Sequence, residues 1–391
     1  MLLNISDYRQ AAQRRLPRGL FDFLERGSED DRAVEQSRSA WHSWRLRPRI
    51  LAGAAPRTVG TSLFGRARAL PVGLAPVGIA AYLWHEGEAA LARAASATDI
   101  PFILSGATTT RLDRFASFGD GDRWFQLYVS GDRERTFDLV RRVQTAGFTT
   151  LVLTVDSLTP YKREFAARSG FDIPFRLSIA GFADMAAHPR WLLGTIGRYA
   201  LDRRFPGLAE YPIAPPGDPM HGRFAFKDDS LDWQFLAQLR SFWAGRLVVK
   251  GVLDHRDARL CVDHGVEGIV VSNHGGIALD ASVGPIDVLE GVVAEVAGRA
   301  AVIIDGGVTR GSDVVKAYAL GADFVLLGRA AMYGLAAAGE QGVRDVLGIL
   351  AAEIDRTLAQ IGCRSLADLT RDHVVRPSDQ TGTAVQRSAL P

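Results

Sequence analysis

Eight short apolar runs, most of them followed by a segment with helical spacing, constrain the fold of this chain more than any other feature does. The runs are continuous rather than alternating, as expected for parallel strands that helices cover on both faces. Segments between them, such as Arg133–Thr145, Ala258–His264 and Ser312–Leu320, carry apolar residues at helical spacing. The runs are Leu70–Val77, Pro101–Leu104, Trp124–Val129, Thr150–Asp156, Arg246–Lys250, Gly268–Ser272, Ala301–Asp305 and Phe324–Gly328. They predict an α/β fold, a (β/α)8 TIM barrel, with a doubly wound sheet as the alternative.

Two long segments lie outside this repeat and predict additions to a single barrel domain of 391 residues. Residues 1–69 are expected to form an N-terminal helical cap with one or two helices. Ser6 and Asp7 would cap the first helix, and Leu16-Pro17 would separate it from the second. Residues 157–231 form a long insert between the fourth and fifth strands, which is typical of a lid or a binding insert. The barrel itself would span residues 70–156 and 232–375, followed by a tail at 376–391.

Composition and charge exclude several other classes of protein. The chain is 47% hydrophobic with a formal net charge of +2 and has no basic stripe with interleaved aromatics, so nucleic acid is not an expected partner. Cys261 and Cys363 lack metal-type spacing and predict neither a disulfide framework nor a metal site. The N-terminus turns polar too early for a signal peptide, and no apolar run approaches the ~18 residues of a membrane span. We therefore expect a cytoplasmic protein.

The sixth apolar run carries a histidine at its end. Gly268-Ile269-Val270-Val271 is followed by Ser272-Asn273-His274 and then by Gly275-Gly276. This order predicts that His274 lies at the C-terminal tip of a buried strand, on a turn where glycines let other groups approach the backbone. Strand tips of this kind carry the chemistry of an α/β barrel.

Glycines also follow the last two runs. Asp305-Gly306-Gly307 ends the seventh run, and Gly328-Arg329 ends the eighth. Glycine-rich tips after strands seven and eight form the usual phosphate site of a barrel, because bare backbone N–H groups can approach an anion. Either tip alone would be an ordinary turn, but the two together predict phosphate binding.

The sequence from Val270 to Asp280, Val-Val-Ser-Asn-His-Gly-Gly-Ile-Ala-Leu-Asp, resembles a family signature. It is similar to the active-site pattern Ser-Asn-His-Gly-Gly-Arg-Gln-Leu-Asp of the FMN-dependent α-hydroxy acid oxidases and dehydrogenases. The resemblance runs from Asp7-Tyr8-Arg9 to Gly362-Cys363-Arg364-Ser365. It implies a TIM barrel that binds FMN, acts on a small molecule and assembles as a homo-oligomer, a tetramer in the family.

The resemblance also implies which residues hold the cofactor. The residues expected at the isoalloxazine ring are Ala75, Pro76, Val77, Gly78, Ser105, Gln126, Thr154, Lys250 and Ser272. Those expected at the phosphate end are Asp305, Gly306, Gly307, Gly328 and Arg329. The family often has arginine where Thr309 stands, and the neighbouring Arg310 is expected to substitute for it.

Four catalytic residues follow from the same resemblance. His274 would be the base that accepts a proton from the substrate, and Asp156 would stabilise and orient its imidazolium. Lys250 would stabilise the negative charge that develops on the reduced flavin. Tyr128, on the third strand, is expected beside the substrate in both binding and catalysis.

The residues that should grip the substrate depart from the family pattern. The family holds a carboxylate with a tyrosine and two arginines, of which Arg163 remains. The other arginine is replaced by Ile277, the tyrosine by Phe23, and a bulky aromatic by Ala107. Losing one charge-assisted anchor costs ~1.5–3 kcal/mol. The pattern therefore predicts a substrate that is larger or less anionic than lactate.

Three readings of the activity follow. The first is oxidation of a CH–OH or a CH–NH2 carbon next to a carbonyl, on an ester, an amide, a carrier-tethered acyl group or a peptide-derived biosynthetic intermediate. The second is an ordinary L-2-hydroxy acid dehydrogenase or oxidase that holds its carboxylate through Arg163. The third is a catalytically silent FMN-binding partner protein.

The insert has two interpretations of its own. Trp191-Leu192-Leu193, together with four arginines at 190, 198, 203 and 204, could form an amphipathic segment at a membrane surface. Acidic residues at 184, 202 and 210 dilute this charge. We therefore favour a solvated lid that packs on the barrel over a membrane contact.

Overall fold

The computed structural model describes residues 1–115, 118, 121–169, 179–211 and 228–376. The strands within these residues are β1 (Arg45–Leu46), β2 (Thr61–Leu63), β3 (Arg66–Arg68), β4 (Val72–Leu74), β5 (Phe102–Leu104), β6 (Arg123–Leu127), β7 (Thr150–Thr154), β8 (Arg246–Val252), β9 (Gly268–Val271), β10 (Ala301–Ile304), β11 (Phe324–Leu327) and β12 (Val374–Val375). Strands β4 to β11 are parallel and form a closed barrel, in which β11 pairs with β4. The predicted TIM barrel is confirmed, and the doubly wound alternative is wrong because the sheet closes on itself.

Helices cover the outside of the barrel and form its additions. The helices are α1 (Ile5–Arg15), α2 (Arg18–Glu25), α3 (Arg32–Ser43), α4 (Ala80–Leu83), α5 (Gly87–Ala97), α6 (Leu112–Phe115), α7 (Arg133–Thr145), α8 (Glu164–Ser169), α9 (Ile179–Ala186), α10 (Pro189–Trp191), α11 (Arg198–Leu201), α12 (Trp233–Phe242), α13 (His255–Asp263), α14 (Pro285–Val296), α15 (Gly311–Ala319) and α16 (Arg329–Ile361). Helix α7 has the bounds that its apolar spacing predicts. Short 3-10 turns cover His274–Gly276, Leu366–Asp368 and Arg371–His373.

Side chains that point into the barrel form an apolar layer beneath a polar one. Ile103, Trp124, Val152, Val248, Val270 and Ile303 belong to a buried cluster inside the barrel. Because side chains alternate along a strand, the residue two positions further on points the same way. Those residues are Ser105, Gln126, Thr154, Lys250, Ser272 and Asp305. An apolar core thus lies beneath a ring-shaped layer of polar side chains, the polar ring, at the carboxyl ends of the strands.

The N-terminal segment contains more structure than the sequence predicts. It forms three helices, α1 to α3, rather than one or two, and a β2–β3 hairpin. Helix α1 is capped by Asn4, whose Oδ1 accepts a hydrogen bond from the Asp7 N–H at 3.0 Å. The prediction that Ser6 and Asp7 are the cap is therefore wrong by two or three positions. As predicted, α1 ends before Leu16, and Pro17 precedes α2.

The hairpin closes the end of the barrel that lies away from the polar ring. Leu63, at the end of β2, is buried in the interior apolar cluster, and Phe64 packs against the same cluster. The Phe64 ring lies 5.7 Å from the Trp124 ring. The hairpin therefore plugs the amino-terminal end, and the carboxyl-terminal end remains for ligands.

The insert between β7 and β8 packs on the barrel through one face. The Trp191 Nε1 donates to the Tyr82 carbonyl at 2.7 Å, and the Tyr199 hydroxyl accepts from the Glu86 N–H at 2.7 Å. A π-helix covers Leu192–Gly197 between these two anchors. Trp191 therefore belongs to the packed face and not to an outer amphipathic surface. Among the described residues, no helix is long and apolar enough to cross a membrane.

Candidate active site

A large cavity lies at the carboxyl ends of the strands, beneath the N-terminal helices. Many of the predicted site residues line it: Phe23, Ala75, Pro76, Val77, Gly78, Ser105, Ala107, Tyr128, Arg163, Lys250, His274, Ile277, Asp305, Gly306, Gly307, Gly328 and Arg329. They come from nearly every barrel strand and from α2. The closed barrel thus brings together residues that are far apart in the sequence.

His274 is held at its strand tip by contacts on both ring nitrogens. Its Nδ1 lies 2.8 Å from Asp156 Oδ1, and its Nε2 lies 3.2 Å from the Tyr128 hydroxyl. The carboxylate fixes the Nδ1–H tautomer, so Nε2 is the nitrogen that can accept a proton. The backbone of His274 has a φ of 57°, a left-handed conformation that a residue with a side chain rarely adopts. Such strain is typical of functional sites.

Asp156 is placed by an irregularity in β8. The pairing of β8 with β9 shifts between Lys250 and Val252, which leaves Gly251 as a bulge with a φ of 110°. A Cβ atom on Gly251 would lie 2.5 Å from the Asp156 carboxyl carbon. Glycine at 251 therefore makes room for the carboxylate. Burial acts to raise the pKa of Asp156, but the charges of His274 and Lys250 outweigh it and lower that pKa.

Lys250 forms the second buried charge pair. Its Nζ lies 3.0 Å from Asp305 Oδ2 and 2.8 Å from the Ser272 hydroxyl. Burial acts to lower the pKa of Lys250, but the nearby carboxylates of Asp305 and Asp156 raise it above its usual value. Lys250 is therefore a fixed ammonium group at the cavity wall.

Three of the predicted cofactor contacts lie behind the cavity wall. Gln126 Nε2 donates to the Thr154 hydroxyl at 2.8 Å, and Gln126 Oε1 accepts from the Ser105 hydroxyl at 3.0 Å. Ser272 lies behind Lys250. The structure therefore joins Gln126, Thr154 and Ser272 to residues that line the cavity, and their predicted contact with the flavin stays a prediction.

The phosphate end is built from glycine turns and the N-terminus of α16. Gly306 and Gly307 have φ values of 90° and 78°, and the Gly306 carbonyl accepts from Trp41 Nε1 at 2.8 Å. A Cβ atom on Gly307 would lie 2.2 Å from the Ser37 carbonyl oxygen, so α3 can pack here only against glycine. After Gly328, α16 begins with the unpaired N–H groups of a helix N-terminus, which favour an anion.

Arg329 and Asp305 give this end the polar groups that FMN would require. The Arg329 guanidinium is partly buried, and within the described residues its hydrogen bonds go to the carbonyls of Leu24, Gly275 and Arg26 rather than to a carboxylate. Burial lowers the pKa of Arg329. Asp305 Oδ1 is buried without a hydrogen-bond partner among the described residues. A partly buried cation that is bonded to carbonyls suits a phosphate, and a buried carboxylate oxygen without a described partner suits a ribityl hydroxyl.

The expectation for Arg310 is wrong. Its side chain is half exposed and forms an ion pair with Glu353 at 2.7 Å, outside the cavity wall. Arg310 is the residue before α15, and its backbone N–H donates to the capping carboxylate of Asp313 at 3.0 Å. The helix start therefore turns the side chain toward α16, and Arg310 does not replace an arginine at position 309.

The predicted substrate end of the cavity combines Arg163, which the sequence analysis predicts to bind the substrate, with apolar side chains. The Arg163 guanidinium lies over the Phe23 ring, 4.4 Å from its centroid. Ile277 and Ala107 line the same cavity. Phe23 thus stacks against Arg163 but offers no hydroxyl to a ligand.

Sequence reasoning missed Tyr161 and the contacts that attach the N-terminal segment to the site loops. The Tyr161 ring lies 5.9 Å from the His274 ring and lines the cavity. The Glu29 N–H donates to the Lys162 carbonyl at 3.0 Å, and the Asp280 carboxylate accepts from the N–H groups of Asp30 and Ala33. Asp280 thereby caps α3, whose own N-cap residue, Asp31, makes no side-chain capping bond. The position of Tyr161, two residues before Arg163, was the available signal.

The site can accept a proton at one defined atom and can stabilise a negative charge beside another. His274 Nε2 is available to take up a proton, and Asp156 stabilises the resulting imidazolium. The Lys250 ammonium group can stabilise negative charge on a ligand that is bound in the cavity. No group of metal-ligating side chains occurs among the described residues.

Comparison with known proteins identifies the family. The model of the family described as FMN-dependent dehydrogenase matches residues 12–376. The chain is 41% identical to (S)-mandelate dehydrogenase of Pseudomonas putida over 377 residues, which cover 95% of this chain and 94% of that protein. It is 39% identical to a putative L-lactate dehydrogenase of Mycobacterium tuberculosis over 375 residues, covering 96% of this chain and 89% of that protein.

A solved structure agrees with these relatives. The crystal structure of the monotopic membrane protein (S)-mandelate dehydrogenase matches with a TM-score of 0.89 at 40% identity, covering 96% of this chain and 99% of that chain. The family resemblance and the FMN cofactor predicted from the sequence are confirmed. The chain belongs to the FMN-dependent dehydrogenases, the family of α-hydroxy acid dehydrogenases and oxidases, and is an oxidoreductase that uses FMN.

Proposed function

We propose that this enzyme oxidises a CH–OH carbon next to a neutral carbonyl group, such as that of an ester or amide, in preference to a free 2-hydroxy acid. The observation that carries the proposal is the pair Phe23 and Ile277, which line the substrate end of the cavity. Neither side chain can pair with an anion, and a carboxylate held against Ile277 would lose water without replacement. A CH–NH2 carbon in the same position, or a substrate tethered to a carrier or derived from a peptide, is a variant of the same proposal.

An ordinary L-2-hydroxy acid dehydrogenase is the second candidate. The relatives named above are a mandelate dehydrogenase and a putative lactate dehydrogenase, and Arg163, which lines the cavity, would be the residue that holds the carboxylate. The silent-partner reading has less support, because His274, Asp156 and Tyr128 keep a connected hydrogen-bond geometry.

We assign the chemical roles as follows. When bound, FMN accepts the two electrons that the substrate gives up. His274 Nε2 takes up the substrate proton, and Asp156 holds the imidazolium through Nδ1. Lys250 supplies positive charge on the cofactor side, and Tyr128 orients both His274 and the substrate oxygen. Arg329 and the N–H groups after Gly307 and Gly328 hold the cofactor phosphate.

Removal of the proposed base should stop substrate oxidation without removing the cofactor. For His274→Ala, we expect flavin reduction to slow by ~10²–10⁴-fold, the usual contribution of a general base. For Asp156→Asn, the same step should slow, because the imidazolium loses its counter-charge. Anaerobic stopped-flow absorbance measures the rates, and the visible spectrum of bound FMN serves as the control. Reduction of His274→Ala at the native rate would exclude His274 as the base.

The phosphate role of Arg329 can be separated from its structural hydrogen bonds. Riboflavin lacks the phosphate, so general damage to the cavity should weaken FMN and riboflavin alike. For Arg329→Gln, we expect the preference for FMN over riboflavin to fall about 10- to 100-fold, the value of a charge-assisted contact. Arg310→Gln removes the same charge outside the cavity and is the matched control. Dissociation constants come from titration of the apoprotein, and an unchanged ratio in Arg329→Gln would contradict the assignment.

The proposed substrate preference is tested by the ratio of kcat/KM for an amide to kcat/KM for the corresponding free acid. We expect kcat/KM for (S)-mandelamide to exceed that for (S)-mandelate in the native protein. The reason is that an amide can replace its hydrogen bonds to water with equally good hydrogen bonds in the cavity. Ile277→Arg with Phe23→Tyr should restore a charge-assisted grip and shift the ratio toward the free acid by about tenfold or more. A native kcat/KM above ~10⁴ M⁻¹s⁻¹ for a small 2-hydroxy acid would instead establish the ordinary dehydrogenase.

We further propose that the outer surface of the insert rests on a membrane, contrary to the solvated lid favoured from the sequence. Four large apolar side chains of the insert are exposed, by 68%, 70%, 84% and 68%: Phe182, Leu193, Leu201 and Phe205. Four exposed arginines accompany them: Arg190, Arg198, Arg203 and Arg204. Apolar side chains among basic ones are typical of a peripheral contact with anionic lipid. Such a contact does not carry the chain across a membrane, so the predicted cytoplasmic location, like the predicted homo-oligomer, stays a prediction.

Sedimentation with vesicles tests this contact. We expect the native protein to sediment with vesicles of phosphatidylglycerol and phosphatidylcholine, and to be released by salt. Leu193→Ser with Leu201→Ser should weaken binding at least tenfold, because burying each leucine contributes about 1.5–3 kcal/mol. Leu260→Ser, at an exposed leucine on α13, is the control. A native protein that remains in the supernatant with anionic vesicles would contradict the proposal.

A further inference from the structure

We infer that the hydroxyl of Tyr161 binds the carbonyl group of the substrate and, together with Arg163, determines which carbonyl substituents the site accepts. The inference rests on the proposed function in one respect, namely that a carbonyl neighbours the oxidised carbon. It assigns to the insert loop a substrate contact that the N-terminal helix cannot make, because Phe23 has no hydroxyl.

The position of Tyr161 supports this role. Its ring lies 5.9 Å from the His274 ring, and the Tyr128 ring lies 6.2 Å from the same imidazole. Both phenols line the cavity. Both tyrosines therefore lie near the imidazole, and we expect a substrate carbon near His274 Nε2 to have its oxygen substituents within reach of a phenol.

Arg163 links Tyr161 to the substrate end. Its guanidinium lies 5.4 Å from the Tyr161 ring centroid and 4.4 Å from the Phe23 ring centroid. Two aromatic rings thus lie against the planar group. Tyr161 and Arg163 both line the cavity, so a hydroxyl and a guanidinium belong to the same part of its wall.

The Tyr161 hydroxyl is prepared to act as a neutral donor. It lies 2.5 Å from the Ser157 hydroxyl, and either oxygen can donate in that pair. When Ser157 donates, the phenol proton can point at a carbonyl oxygen. Burial raises the pKa of Tyr161 well above its usual value, with Tyr128 and Asp156 acting in the same direction. The phenol therefore keeps its proton throughout the physiological range.

A neutral donor favours a neutral acceptor relative to the family pattern. An arginine at 277 would give most of its binding energy to a negative charge, whereas a phenol also donates to the neutral oxygen of an ester or an amide and gains less from a charge than a guanidinium does. Tyr161 thus compensates for the lost tyrosine but not for the lost arginine. The site would retain affinity for carbonyl compounds while losing its preference for anions.

The test removes only the hydroxyl. In Tyr161→Phe the ring that covers Arg163 remains, so the guanidinium should stay in place. We measure dissociation constants of (S)-mandelamide and (S)-mandelate from the absorbance change of bound FMN under anaerobic conditions, and the limiting rate of flavin reduction in the same titration. We expect both constants to rise about 3- to 10-fold, with the limiting rate changing less than about threefold. Dissociation of FMN should not change.

Two further variants separate binding from structure. Tyr82→Phe removes a phenol that bonds the Pro206 carbonyl outside the cavity wall and should leave both ligand constants unchanged. Ser157→Ala removes the partner of Tyr161 and should raise the constants less than Tyr161→Phe does. Unchanged constants in Tyr161→Phe, or an equal rise in Tyr82→Phe, would overturn the inference.

A different comparison tests the proposed function. A native preference for mandelate over mandelamide would refute the neutral-substrate proposal but leave the Tyr161→Phe effect on each ligand intact. If neither ligand perturbs the native flavin spectrum up to its solubility limit, then the proposed function and the inference about Tyr161 both fail.

Discussion

The two polar pairs Lys250–Asp305 and His274–Asp156 are the constraint on which the rest of the site depends. The Lys250 ammonium group lies 3.0 Å from Asp305, and His274 Nδ1 lies 2.8 Å from Asp156. Each charged group in this wall thus has a partner, as a charge that is largely removed from water requires. Asp156 is the carboxylate that can stabilise an imidazolium when His274 accepts a proton. The position of Asp156 depends in turn on Gly251, which keeps a Cβ atom away from the carboxylate.

The two ends of the cavity have different electrostatic character. At the cofactor end, a partly buried guanidinium, glycine turns and a helix N-terminus suit the binding of a phosphate. At the substrate end, Arg163 is covered by Phe23 and Tyr161, and Ile277 stands where the family has a second cation. This difference between the two ends is the basis of the proposed preference for a neutral substrate, which would be held by hydrogen bonds and apolar contact.

Much of the fold could be predicted from the sequence, because barrel strands and catalytic tips leave local patterns. Continuous apolar runs located all eight strands, and His274 and the glycines at 306 and 307 followed from their strand ends. The sequence carries no comparable pattern for the direction in which a side chain points. Arg310 turns toward Glu353 because it precedes a helix, and Tyr161 reaches the cavity through a loop without periodicity. The β2–β3 hairpin was missed because its strands have three residues each, too few for an alternating pattern to show.

The substitutions at 23 and 277 belong to surfaces that touch each other. The Ser28 hydroxyl donates to the Ile277 carbonyl, and the Ser28 N–H donates to the Gly276 carbonyl at 3.3 Å. A Cβ atom on Gly27 would lie 2.4 Å from the Gly276 oxygen, so the segment after α2 fits closely against the histidine loop. The Ile277 side chain lines the same cavity as Phe23 and Arg163. With phenylalanine at 23, an arginine at 277 would gain no hydroxyl partner from α2. The two positions are therefore expected to act as a unit, because residues that share one site and its ligand are energetically coupled.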